Sequence, residues 1–209
     1  MNTLDTNSKA IQSQRGYSLI ELSLVLAVVA ILLVGSLTGV QRILRSNTAN
    51  NTLKETTTAV ANVTTQTVRQ ANFAAVTLQN MSGLGVWDPA RVASAGAASA
   101  VVTHPFGGPV YVNSSSVAVG SYGVAQTFKY TLANIPREVC ADLVQGLDSM
   151  SYAIGVRNTA STPKDPAGGT LDTNYVVKAA DSASVTLATL STACTAAGNK
   201  DIDLIIARN

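Results

Sequence analysis

The sequence predicts an α+β fold: a long N-terminal helix followed by a strand-rich head. Three observations carry the prediction. Leu22–Val40 runs without a charged residue. Apolar residues then recur near helical spacing as far as about Gln70. Beyond Ala100 the period shortens to two, in short segments separated by Gly and Pro.

The chain opens with a polar stretch, Met1–Gly16, carrying Asp5, Lys9 and Arg15. The apolar run that follows, closed by Arg42 and Arg45, rises about 28 Å as a helix, close to the thickness of a bilayer core. It has almost no polar stripe of the kind a soluble-core helix shows, and reads as membrane-spanning. A secretory signal peptide has a shorter apolar region and a small-residue cleavage site after it. Here the small residue stands before the run, at Gly16 behind Arg15. A cut between Gly16 and Tyr17 would remove the charged leader and keep the helix.

Glu21 is the anomaly, because a carboxylate near the end of an apolar span is costly. Two readings stand open. The acid reaches the headgroups, or sits in a first helical turn where the dipole favours it. Alternatively, it meets a cation that appears only after processing. A cut after Gly16 gives Tyr17 a new α-amine, with Glu21 as the fifth residue of the mature chain.

Past the span, Val40, Ile43, Leu44, Leu53, Val60, Val63 and Val68 recur with Arg, Asn, Thr and Gln between them. This reads as an amphipathic continuation of the same helix, one face packed on a head. No Pro precedes Pro89, so nothing forces a break. Gly35-Ser36-Leu37-Thr38-Gly39 has two compatible readings: a small-residue face for close helix contact in lipid, or a weak helical segment. Ala74–Ala100, rich in Ala, Ser and Gly, reads as a connecting loop with a turn at Trp87-Asp88-Pro89 and Trp87 as an anchor.

In the head, Ala100–Thr103 and Val110–Asn113 are expected as strands flanking a turn at His104–Pro109. Tyr122–Leu132 alternates as a strand, with Val124, Gln126, Phe128 and Tyr130 on one face. Ile135–Val144 reads as a helix, with Asn134 near its N-cap and Pro136 in its first turn. Tyr152–Arg157 is a strand, 158–173 a loop, Tyr175–Lys178 a short strand, Ser182–Cys194 a short helix and Ile202–Ala207 a closing strand.

Composition removes several functions. Lys+Arg 14 against Asp+Glu 12 leaves +2, too little for a nucleic-acid surface driven by counterion release. Apolar content of 46% with so small a net charge argues against charge-driven disorder. One His and two Cys do not make a Cys/His zinc site, and Asp201 and Asp203 read as strand start rather than a metal loop. No cofactor motif is present: Gly83-Leu84-Gly85 lacks the third Gly of a dinucleotide fingerprint. There is no G-x-S-x-G elbow and no H-E-x-x-H. His104 reads as a turn residue, and no enzymatic activity is expected.

Arg15-Gly16-Tyr17-Ser18-Leu19-Ile20-Glu21 ahead of an apolar helix resembles the prepilin-peptidase motif of type IV pilins. Tyr17 at the first mature position, where Phe is commonest, and a leader of Met1–Gly16 lean toward the type IVb subgroup. Phe106-Gly107-Gly108 before a Val-x-Val strand resembles an element of type IVb heads. Ile135-Pro136-x-x-Val139-Cys140-x-x-Leu143 resembles their helix bearing the first cysteine, and Cys194 before a terminal strand matches the second.

The resemblance implies the type IV pilin fold, a long N-terminal helix packed on an antiparallel sheet. It implies four regions: a leader at 1–16 removed by prepilin peptidase, a membrane and filament-core helix at 17–40, the amphipathic half of that helix at 41–73, and a head at 74–209. It implies a precursor in the bacterial inner membrane with a periplasmic head, then an extracellular pilus. Tyr17 would be N-methylated, and Glu21 would guide assembly. Partners would be other copies of the chain, the peptidase and the inner-membrane assembly machinery, with no nucleic acid as a primary partner. In an oxidising compartment Cys140 and Cys194, 54 positions apart, would form a disulfide; two separate buried thiols are the alternative. Minor pilins and type II secretion pseudopilins share the N-terminal motif and remain the alternative function.

Overall fold

The computed structural model describes residues 18–159, 171, 175–180, 182 and 184–208, with backbone alone at 37 and 38. The chain divides into two compact units, Met1–Ile43 and Leu44–Asn209. Helix α1 (Leu19–Thr67) starts in the first and ends in the second.

In the first unit, exposed apolar residues run along α1 from Leu19 to Ile43, interrupted by Glu21 and by Gln41-Arg42. Leu19, Ile20 and Ile31 are 87%, 75% and 74% exposed.

The second unit is built on a seven-stranded sheet. In chain order its strands are β1 (Val92–Ala93), β2 (Val101–Thr103), β3 (Pro109–Ser114), β4 (Thr127–Ile135), β5 (Ala153–Asn158), β6 (Tyr175–Lys178) and β7 (Lys200–Ala207). They lie in the order β1-β2-β3-β4-β7-β5-β6, every neighbouring pair antiparallel. The terminal strand β7 is therefore central. Rows across the sheet follow from the register: Val110, Leu132, Ile202 and Val156 form one, and Val112, Tyr130, Leu204 and Ile154 the next. All eight are buried in one apolar core. The intervening row, Tyr111, Thr131, Asp203 and Gly155, belongs to the opposite face, because successive residues alternate.

The head part of α1 buries Ala49, Thr52, Thr56, Ala59, Val60, Val63 and Thr67, while Leu44 and Val68 stay exposed. The packed stripe is thus made of Ala, Thr and Val rather than the larger residues the sequence pattern favours. Thr52 Oγ1 donates to Thr48 O at 2.8 Å and Thr67 Oγ1 to Val63 O at 2.8 Å. With its hydroxyl returned to the helix, each Thr offers a methyl to the core. The helix stops at Thr67 rather than near Gln70 or residue 73, in a series of turns through Ala75.

Several element bounds differ from expectation. Residues 74–100 contain a short helix α2 (Leu78–Gly83), whose N-cap Thr77 accepts from Asn80 N–H, and the edge strand β1. β4 begins at Thr127, not Tyr122, because Ala125 sits at φ 58° in a preceding turn. It runs on through Ile135, so α3 (Arg137–Leu147) starts later than expected and its N-cap is Pro136. Asn134 lies instead at a bulge in β4, at φ 62°, its N–H donating to Asp201 Oδ1 at 2.9 Å. Helix α4 (Leu187–Thr195) is shorter at its start than Ser182–Cys194. Most of the 158–173 loop lies outside the described residues.

Candidate assembly site

The processing residues Gly16 and Tyr17 lie outside the described residues. The described chain begins at their edge. Ser18 O accepts from Glu21 N–H and Leu22 N–H at 3.0 and 3.1 Å, which opens α1 and places Glu21 in its first turn. An acid there faces the positive end of the helix dipole. Ser23 Oγ donates to Ile20 O at 2.8 Å and Ser36 Oγ to Leu33 O at 3.0 Å. The hydroxyls of Ser23 and Ser36 are thereby returned to the helix's own carbonyls, and Glu21 is an acidic group standing out from a largely apolar surface. A methyl group added at Gly35 or Gly39 meets nothing within 4 Å. These glycines therefore leave recesses on the surface rather than answering contacts inside the chain. A helix of this kind calls for lipid or like helices around it.

In the head, Cys140 on α3 and Cys194 on α4 form a disulfide, with Cα atoms 5.6 Å apart. Their helices each turn a buried stripe inward: Val139, Cys140, Leu143, Val144 and Leu147 on α3, and Leu190, Ala193 and Cys194 on α4. Gly146 lets α3 approach α1, since a Cβ there would lie 2.7 Å from Leu53 Cδ2.

Three polar devices brace the head. Asp201 and Asp203, expected as a mere strand start, lie buried on the second face of β7. Arg157 on β5 approaches both, at 3.1 Å to Asp201 and 3.8 Å to Asp203. Thr131 Oγ1 donates to Asp203 Oδ1 at 2.6 Å and Thr159 Oγ1 to Asp201 Oδ1 at 2.7 Å. Burial pushes the Asp203 carboxyl above the ordinary range, against the pull of Thr131 and Arg157. The available signal was the alternation of Asp201 and Asp203 with Ile202 and Leu204, which places both acids on one face.

The second device joins Trp87 to the core: its indole N–H donates to Tyr130 Oη at 3.2 Å. The third is His104, buried in the β2–β3 turn. Its Nδ1 accepts from Phe106 N–H at 3.2 Å, so Nε2–H donates to Ala133 O, at 2.7 Å. Burial lowers its pKa. The same turn explains Gly107-Gly108: Gly107 has φ 82°, and a Cβ on Gly108 would fall 2.0 Å from Ala133 O. His104 therefore pins a turn to a strand. Among the described residues no group of three or more His, Cys, Asp or Glu is placed to hold a metal ion.

Comparison with known proteins agrees with this architecture. The family described as PilS N terminal matches residues 46–207, and the prokaryotic N-terminal methylation motif matches 11–37. No curated protein matches the chain. The crystal structure of TcpA, a type IV pilin from Vibrio cholerae El Tor biotype, is similar at 17% identity and TM-score 0.51, over 77% of this chain and 99% of that one. The type IV b pilin from Salmonella typhi aligns at 18% identity and TM-score 0.46, over 76% and 97%. With the methylation motif at its start, the long helix and the antiparallel head, the chain belongs to the family described as PilS N terminal and has the type IV pilin fold.

Proposed function

We propose that the chain is a filament-forming subunit of a type IVb-like pilus, made as a prepilin. The leader at 1–16 stays on the cytoplasmic side of the inner membrane, the helix at 17–40 spans it, and the segment from 41 onward carries the head at 74–209 in the periplasm. Prepilin peptidase cuts between Gly16 and Tyr17, Tyr17 is N-methylated, and the assembly machinery stacks subunits into an extracellular filament. The role is structural rather than catalytic.

The observation that carries this reading is the exposed apolar part of α1 with Glu21 in its first turn. Insertion alone gives no reason for the acid, because Leu would insert more readily. Among packed apolar helices, a buried amine without an anion is costly, and so is a buried carboxylate without a cation. Pairing Glu21 with the Tyr17 amine of an adjacent subunit removes both penalties and sets axial register, since one residue of slip moves the charges about 1.5 Å. The test is Glu21→Ala: membrane insertion and leader removal persist while electron microscopy finds filaments lost or sharply reduced. Normal filaments in normal numbers would refute the docking role.

A further inference from the structure

The surface of α1 changes character within about one turn. Leu22–Val40 has no charged residue, and Arg42 and Arg45 are the first cations after it. At about 100° per residue, Val40, Ile43 and Leu44 fall on one side of the helix, and Gln41, Arg42 and Arg45 on the other. All six are exposed, and among the described residues of α1 the first that is buried is Ala49. The chain itself therefore covers neither the apolar side of this turn nor the cationic one.

Depth along the helix identifies the layer this turn occupies. Counted from Glu21 at about 1.5 Å per residue, Arg42 lies about 32 Å along α1 and Arg45 about 36 Å. The hydrocarbon core of a bilayer is about 30 Å thick, and about 40–45 Å with its headgroups. With Glu21 at one edge of the hydrocarbon, both guanidinium groups reach the opposite headgroup layer, where lipid phosphates lie. Val40, Ile43 and Leu44 carry the apolar surface of the span up to that layer.

Two kinds of anion fit these arginines: a lipid phosphate, or a carboxylate of another copy of the chain. Among the described residues neither Arg42 nor Arg45 has a carboxylate partner of its own. The acids a second copy would offer are largely committed. Glu55, Glu138 and Asp148 are paired with Arg91, Arg137 and Lys178, and Asp201 and Asp203 lie buried. The Asp88 carboxylate accepts from Ala90 N–H in its own turn. Among the described acids of the second unit, that leaves Asp142 for two arginines. A layer of phosphates supplies as many acceptors as the two planar guanidinium groups can take.

We infer that Arg42 and Arg45 form a headgroup site for anionic phospholipid at the far end of the membrane span, which holds the subunit at a fixed depth before assembly. The inference rests on the membrane reading of α1 proposed above.

The test uses the full-length protein in detergent micelles, titrated with phosphatidylglycerol and, separately, with phosphatidylcholine of the same acyl chains, with bound lipid counted by native mass spectrometry. Both lipids carry a phosphate, and only the first has a net negative charge. Phosphatidylglycerol is expected to bind more tightly. Lys9 and Arg15 also attract anions, so the decisive quantity is the difference between the parent and Arg42→Gln with Arg45→Gln. The double variant is expected to bind phosphatidylglycerol about fivefold or more weakly at low salt, with phosphatidylcholine binding and Trp87 fluorescence unchanged. Alkaline extraction of membranes from expressing cells keeps this inference apart from the reading it rests on. A chain released by extraction refutes the span, and the site with it. An embedded chain whose phosphatidylglycerol binding is the same in parent and double variant refutes the headgroup site alone. A double variant that binds phosphatidylglycerol as the parent does, yet makes no filaments, also overturns the inference and assigns the arginines to carboxylates of neighbouring copies.

Discussion

The Arg157 guanidinium lies 3.1 Å from the Asp201 carboxylate, and both side chains are withdrawn from solvent, at 9% and 1% exposure. The pair sits in a sheet where β5 and β7 are direct neighbours, with Arg157 opposite Asp201 in register. It therefore closes the polar face at the centre of the head. Removing one partner strands the other as a buried charge, which typically costs about 3–5 kcal/mol.

Arg157→Met is accordingly expected to lower head stability by about 3–5 kcal/mol. Urea unfolding of the full chain in detergent, followed by the fluorescence of the single Trp87, measures it. Replacing Arg157, Asp201 and Asp203 together by apolar residues of similar volume is expected to recover much of that loss, because the desolvation penalty disappears with the charges. A single Arg157→Met variant as stable as the parent would show that the pair contributes nothing.

The Cys140–Cys194 bond closes a 54-residue separation and joins two helices on the core. Its reduction, or Cys140→Ser with Cys194→Ser, is expected to lower stability by about 2–4 kcal/mol. Non-reducing electrophoresis of the exported protein should show one intramolecular bond. Unfolding midpoints that coincide with and without reductant would contradict the expected contribution.

His104 gives the head a pH dependence with a definite sign. Its folded pKa is lowered, first by burial and then by Arg91, against the opposing Ala133 carbonyl and Asp201. The unfolded chain therefore takes up the proton first. Stability is full above the ordinary histidine value of 6.5 and falls as pH drops through it toward the folded pKa. The slope from this one group reaches at most about 1.4 kcal/mol per pH unit. His104→Gln should be less stable at neutral pH and show a flatter profile below about pH 6.5. Asp203 works in the opposite sense, its raised pKa favouring the fold as pH falls, so the comparison of parent with His104→Gln isolates the histidine.

The long helix and the strand-rich head were legible because their signals are strong and local. The uncharged run Leu22–Val40 admits few other readings, and Tyr175–Lys178 coincides with β6. The buried stripe of α1 was hidden because Thr52 and Thr67 look polar in sequence, and their hydroxyls turn back onto the helix only once it forms. The start of α3 was misplaced because Ile135 serves the last position of a strand. Asn134, read as a cap, instead takes the positive φ of a bulge, a conformation Asn tolerates better than most residues. α2 is too short for a period to show, and depends on the Thr77 cap and on packing that brings Asn62 Nδ2 to Val86 O at 3.0 Å.

The central claim is that this chain is a prepilin cut between Gly16 and Tyr17 and then built into filaments. Mass spectrometry of the N-terminal peptide from purified surface filaments tests it most directly. The account predicts a peptide beginning at Tyr17 and carrying one N-methyl group. A subunit that retains Met1–Gly16, or one that begins beyond Val40 with the apolar helix removed, would contradict it.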